Sequence, residues 1–319
     1  MEIDQNFPDE SNDLSSFQKE KWLANQYLYK INGFWLLDYF VPGISRTIKH
    51  FRPLPSDVIL ASFPKTGTTW LKSLLFAIVN RGSLELLARN HPHELVPILE
   101  AQVYGSADIE SCYNTTDSPG SRRIFSTHMA HQLLVRNLNS SECRVVYVTR
   151  NPKDTLVSMF HFVNKWKIAE KEALQIEDAV DKFCRGVFPC GPYYDHVLGY
   201  RQESLNNPKK NLFTTYEDLK ADPTTQVKKM AEFLGCPFGG KDGDKEVEEV
   251  IKSCSFEILR NYEVNKSENS PTWFEVPYNS FFRKGEVGDH MNFLDDEKIA
   301  LIDEITRIKF HGSGFNYGI

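Results

Sequence analysis

The chain has 319 residues, and its 37 basic against 43 acidic side chains leave a formal net charge of −6. That balance excludes a nucleic-acid or other polyanion binder driven by bulk charge. The longest apolar run, residues 74–79, falls far short of the roughly 20 residues that a bilayer-crossing helix needs, so no membrane span is expected.

Residues 1–20, acidic and polar, are expected to be a flexible tail, and residues 21–319 a single domain. The start of the chain lacks the basic and apolar segments of a secretory signal, which makes the cytoplasm the expected location. Six cysteines without a CxxC pair suit reduced, packed thiols better than a disulfide framework or a zinc site. Residues 21–52 carry many aromatic side chains, among them Trp22, Tyr27, Trp35 and Phe40, and are expected to be helical or irregular.

The pattern then sharpens. Val58-Ile59-Leu60-Ala61-Ser62 is a short apolar run of the kind buried on both faces of a parallel sheet. After a Pro-Lys-Thr-Gly turn, Leu71, Leu74, Leu75 and Ile78 recur at the helical period. Residues 80–121 are punctuated by Pro and Gly and are expected to form a loop at a pocket rim. Further strands are expected at 123–127, 144–149 and 211–215. Helical stripes follow the last two, first Leu156, Met159, Phe160 and Val163, then Val227, Met230, Ala231 and Leu234. Residues 262–292 read as a second loop, suited to a lid. Alternating strands and helices predict an α/β fold: one domain with a central parallel sheet flanked by helices.

The loop Phe63-Pro64-Lys65-Thr66-Gly67-Thr68-Thr69-Trp70 joins a buried strand to a helix N-terminus. Unpaired N–H groups and the positive end of the helix dipole converge at such a junction, so a phosphate or sulfate is the implied guest. An ordinary turn with a solvated lysine is the bland alternative for Gly or Lys taken singly. The loop is not the Walker-type GxxxxGK[ST], because its Lys precedes the Gly.

FPKTGTTW resembles the 5′-phosphosulfate-binding loop of the soluble sulfotransferases, and two further segments match in order. Arg150-Asn151-Pro152-Lys153-Asp154 with Ser158 resembles the segment that holds the 3′-phosphate of the donor, 3′-phosphoadenosine-5′-phosphosulfate (PAPS). Arg283-Lys284-Gly285-Glu286-Val287-Gly288-Asp289 resembles the segment that closes over it. The N-terminal stretch Tyr29-Lys30-Ile31-Asn32-Gly33-Phe34-Trp35 looks especially like plant members acting on flavonols, brassinosteroids, hydroxyjasmonates or desulfoglucosinolates. The resemblance implies a fold similar to P-loop nucleotide kinases. It assigns Lys65, Thr66, Gly67, Thr68 and Thr69 to the 5′-phosphosulfate, Trp70, Tyr216 and Phe256 to the adenine, and Arg150, Ser158, Arg283, Lys284 and Gly285 to the 3′-phosphate.

His128 stands where the family's catalytic histidine stands, and a neutral imidazole suits removal of a hydroxyl proton at neutral pH. The implied reaction is in-line sulfuryl transfer to a small hydroxylated acceptor, with His128 as general base, Lys65 stabilising the bridging oxygen, adenosine 3′,5′-bisphosphate as product and no required metal. Residues 94–104, 160–166 and 278–282 are candidate walls for the acceptor. Departures from the pattern are Ser126 where animal members have Lys, Ala130 for Pro, and His290-Met291 for Trp-Lys. The animal dimer segment is not reproduced, so a monomer or weak dimer is expected. The lid is expected to be partly unordered without nucleotide, because Arg283 and Lys284 would repel each other and Arg150. Two other readings stay open: a degenerate member that binds without turnover, and an ATP-dependent P-loop kinase.

Overall fold

A computed structural model describes residues 7–8, 14–106, 122–166, 172–240 and 242–318. Most of the expected tail, residues 1–6 and 9–13, and part of the expected rim, residues 107–121, lie outside the described residues.

The sheet that carries the fold has four parallel strands: β4 (Val58–Ser62), β5 (Ile124–Thr127), β6 (Arg144–Thr149) and β7 (Asn211–Thr215), ordered β5-β4-β6-β7. These match the four expected strands within a residue. Their side chains alternate between two packed faces, as period-two geometry demands. Val58, Leu60, Val146 and Val148 pack with Leu71, Leu74, Leu75 and Ile78 of helix α2 (Thr68–Val79) and with the helix Pro223–Phe233. Ile59, Ala61, Val145 and Tyr147 face Val41 and Ile44 of helix α1 (Val41–His50) and the helix His131–Asn139. Helices therefore cover both faces, the arrangement that an all-parallel sheet requires.

The N-terminal stretch corrects the expectation of helical or irregular structure. Strands β1 (Lys19–Leu23), β2 (Gln26–Ile31) and β3 (Phe34–Leu37) form an antiparallel sheet of three strands. The hairpin between β2 and β3 turns on Asn32 and Gly33, both at left-handed φ (48° and 87°), in the two-residue loop that Asn-Gly favours. Aromatic content concealed that signal: Phe34, Trp35, Leu36 and Leu37 are all buried, so β3 shows no alternation to read. Trp22, Leu28, Trp35 and Leu37 pack onto helices Pro152–Val163 and Tyr193–Asn206, while Leu36 joins the cluster under α1.

Leu75→Ala empties a fully buried position between α2 and the sheet. Stability should fall by about 2–5 kcal/mol, as leucine truncation does in tight cores. Urea unfolding reads this, and a wild-type midpoint would refute the packing described.

Candidate active site

Parallel register keeps the carboxyl ends of three strands level: Ala61 lies opposite Thr127, and Ser62 opposite Val148. Ser62, His128 and Arg150, each ending or just following a strand, are thereby brought to one edge of the sheet. This is where open α/β sheets bind ligands.

The β4–α2 loop reverses tightly there. Lys65 and Gly67 hold left-handed φ (70° and 108°), and a Cβ on Gly67 would lie 2.7 Å from the Tyr216 ring. Glycine meets both the backbone and the space requirement. The first i→i−4 bond of α2 runs from the Leu71 N–H to the Gly67 carbonyl at 3.0 Å, so the N–H groups before it are left for an anion. Thr68 and Thr69 line the cavity in this first turn. Thr66 does not join them: its buried hydroxyl lies 2.7 Å from the Phe63 carbonyl and 3.1 Å from that of Val148, fastening the loop to β6.

Lys65 has no carboxylate partner among the described residues. Its ammonium sits 3.7 Å from the Phe162 ring centroid and 5.6 Å from that of Phe281. Burial first, then Arg283, Lys165 and Arg150, lower its pKa to about 7. A cation so placed is ready for a negatively charged guest.

His128 is fastened at three points. Its Nδ1 lies 2.9 Å from the Ser62 carbonyl, which can only accept, so Nδ1 carries the proton and Nε2 presents a lone pair. Its backbone N–H donates to Glu100 at 2.6 Å, and Glu100 also accepts from the Thr127 hydroxyl at 2.8 Å. Its carbonyl accepts from His196 Nε2 at 3.1 Å, and Tyr147 donates to His196 Nδ1 at 2.9 Å. Burial outweighs the Ser62 bond and lowers the His128 pKa to about 4, so the ring is neutral at pH 7.

The basic clamp is assembled from two segments. Buried Arg150 stands 4.6 Å from the Tyr216 ring centroid and 3.2 Å from Asp154. Asp154 also accepts from the Gly288 N–H at 2.8 Å, the His290 N–H at 3.0 Å and the His290 ring at 2.8 Å. Burial would raise the Asp154 pKa, but these donors outweigh it and hold the carboxyl well below its ordinary range. Asp289 pairs with both Arg283 and Lys284, at 2.5 and 2.6 Å. The repulsion anticipated among Arg150, Arg283 and Lys284 therefore has counter-ions, which the charge count of the motif alone had left out. The His290 ring, at a position that departs from the family pattern, adds a side-chain bond to the backbone ones that tie the segment down.

One cavity of about 360 Å3 is lined by every expected site residue except Thr66: Lys65, Gly67, Thr68, Thr69, Trp70, His128, Arg150, Ser158, Tyr216, Phe256, Arg283, Lys284 and Gly285. Trp70 meets Tyr216 edge to face at 5.4 Å. A Cβ on Gly285 would lie 2.5 Å from the Phe256 ring. Of the candidate acceptor walls, Ile98, Ala101, Phe162, Trp166 and Phe281 line the same cavity. Sequence reasoning missed Leu36, Leu37 and Phe40 from the β3 region and His93 and His196 around His128; Glu100 fell within the candidate wall 94–104, but its bond to the His128 backbone was not foreseen. Glu100 lies in a π-helical turn (Leu99–Val103), a geometry that local sequence does not announce. Among the described residues no group of three or more His, Cys, Asp or Glu is arranged to hold a metal ion.

The family model described as "Sulfotransferase domain" matches residues 55–314. The chain belongs to the sulfotransferase family. It is 42% identical over 313 residues to cytosolic sulfotransferase 12 of Arabidopsis thaliana, covering 95% of this chain and 92% of the relative. Cytosolic sulfotransferase 17 of the same plant is 40% identical, covering 93% and 86%. A crystal structure of a candidate steroid sulphotransferase from Arabidopsis thaliana superposes with a TM-score of 0.72 at 36% identity, covering 95% and 93%. Mouse sulfotransferase SULT7A1 complexed with PAP shares the fold at 24% identity, with a TM-score of 0.69 and coverage of 90% and 95%. Membership makes this an enzyme of sulfuryl transfer and removes the ATP-dependent kinase reading.

In this sulfotransferase Asp154 joins Arg150 to the 288–290 backbone. Asp154→Ala should speed amide hydrogen exchange at Gly288 and His290 by about tenfold or more, with β4 unchanged. Unaltered exchange at those two amides would show that the segment is held by other contacts.

Proposed function

We propose that the protein transfers a sulfuryl group from PAPS to a hydroxyl of a small organic acceptor. The observation that carries this reading is His128: its tautomer is set by the Ser62 carbonyl, and its Nε2 shares a cavity with Lys65, which has no carboxylate partner among the described residues, and with the Arg150, Arg283 and Lys284 clamp. PAPS supplies an activated sulfuryl group on its 5′-phosphate. His128 Nε2 takes the acceptor's hydroxyl proton as the acceptor oxygen bonds to sulfur. Lys65 and the N–H groups opening α2 stabilise the phosphate oxygen left with the electron pair when the old S–O bond breaks. Charge stabilisation is thus supplied by protein groups, and the reading calls for no metal.

Arg150, Ser158, Arg283, Lys284 and Gly285 are assigned to the 3′-phosphate, and Trp70, Tyr216 and Phe256 to the adenine. Thr66 acts through its backbone, with its hydroxyl spent on the loop. The acceptor side, built from Leu36, Phe40, Ile98, Phe162, Trp166 and Phe281, suits an apolar body that presents its hydroxyl to His128. The retinol dehydratase structure in complex with androsterone and PAP supports a small apolar acceptor by analogy of fold alone. The relatives' names support work in the cytosol, and we take the active unit to be a monomer or weak dimer.

Calorimetric titration tests the donor class. Adenosine 3′,5′-bisphosphate should bind at least about tenfold more tightly than ADP, and Lys284→Ala should erase most of that preference. Equal affinities would overturn the assignment.

The pH dependence of kcat/KM tests the two catalytic roles. The base acts when deprotonated and Lys65 when protonated, so the free-enzyme profile should rise through about pH 4 and fall through about pH 7. His128→Ala should lower kcat by about 10²–10⁴-fold and abolish the acidic limb. An acidic limb that survives in the variant would assign the base elsewhere.

A further inference from the structure

Lys72, on the second turn of α2, is fully shielded from solvent, a rare place for a lysine. Among the described residues no carboxylate forms an ion pair with it. Its Nζ instead lies 2.6 Å from His93 Nδ1. With Lys72 as the donor, Nδ1 accepts and the His93 ring proton sits on Nε2; burial lowers the Lys72 pKa well below its ordinary value, and even the neutral amine keeps N–H groups to donate. That Nε2 is 3.4 Å from the Thr69 hydroxyl oxygen, in the first turn of α2 and on the cavity wall. His93 has little freedom to turn away: it stacks on His91 at 5.1 Å and 9° and meets Phe281 at 4.4 Å and Trp273 at 5.5 Å.

We propose that Lys72, His93 and Thr69 form a buried hydrogen-bond relay that aims the Thr69 hydroxyl at the 5′-phosphate of the bound nucleotide. Once Nε2–H occupies a lone pair on Thr69 Oγ1, the hydroxyl's own proton is free to point toward the anion among the N–H groups that open α2. Lys72 thereby extends its influence from the shielded face of the helix to the nucleotide without occupying the cavity, adding to Lys65, which lines it. His93 stays neutral, because burial and then Lys72 lower its pKa well below the ordinary value, and so it keeps the single-proton form the relay needs. Lys72 and His93 are positioning residues, and the inference rests on the nucleotide reading above.

The test compares two ligands that differ only in the group the relay addresses, adenosine 3′,5′-bisphosphate and adenosine 3′-monophosphate, by calorimetry. His93→Leu and Lys72→Met should each weaken the bisphosphate about fivefold to tenfold and leave the 3′-monophosphate within about twofold. His93→Gln, with a carbonyl for Lys72 and an N–H for Thr69, should restore most of the loss. In a Thr69→Val background His93→Leu should have no further effect, because the coupled pair is already broken. Lys72→Met guards against a folding artefact, since replacing a buried charged side chain by an apolar one of similar volume is often neutral for stability. Equal weakening of both ligands, additivity with Thr69→Val, or an Nδ1–H tautomer of His93 in 15N NMR would each overturn the relay. If the wild type itself fails to prefer the bisphosphate, the nucleotide reading falls first and takes the relay with it.

Discussion

The level ending of three parallel strands is the constraint on which the rest of the site depends. Because β4 pairs with both β5 and β6 in register, Ser62, His128 and Arg150 arrive at one edge without any loop having to find them. The Ser62 carbonyl can then fix the His128 tautomer, and the Thr66 hydroxyl can hold the anion loop against Val148. The loop's left-handed turn at Gly67 is affordable in that tight space only without a side chain, since Tyr216 fills the volume beside it.

Electrostatics divides the basic groups into two kinds. Arg150, Arg283 and Lys284 keep carboxylate partners, Asp154 and Asp289, which hold the clamp together before any ligand is bound. Lys65 has aromatic rings around it, and burial first, then the like charges of Arg283, Lys165 and Arg150, lower its pKa. The first arrangement favours a stable shape, and the second favours a strong response to an arriving anion. His128 follows a third logic: burial keeps it neutral, and bonds to its backbone from Glu100 and His196 hold it still.

Much of this was legible in the chain. The strands at 58–62 and 144–149 are built on near-continuous apolar runs because both faces of the sheet are covered, and α2 carries its stripe in plain view. Strand β3 was not read, since Phe34, Trp35, Leu36 and Leu37 are all buried and β-periodicity vanishes when no face is wet. Thr66 could not be told from Thr68 and Thr69 by type. Only the folded loop turns its hydroxyl to the sheet.

From sequence came the α/β alternation, the anion-binding junction and five of the basic groups that line the cavity, Lys65, His128, Arg150, Arg283 and Lys284. These are local properties: apolar period, loop composition and motif order act within a few residues. Tertiary structure alone decided which groups serve those residues. Glu100 reaches the His128 backbone from 28 positions away, His196 from 68, and Asp154 reaches Gly288 from 134. Such bonds depend on the register of strands and the docking of helices, whose free energies sum over many side chains spread along the chain, so no short segment encodes them.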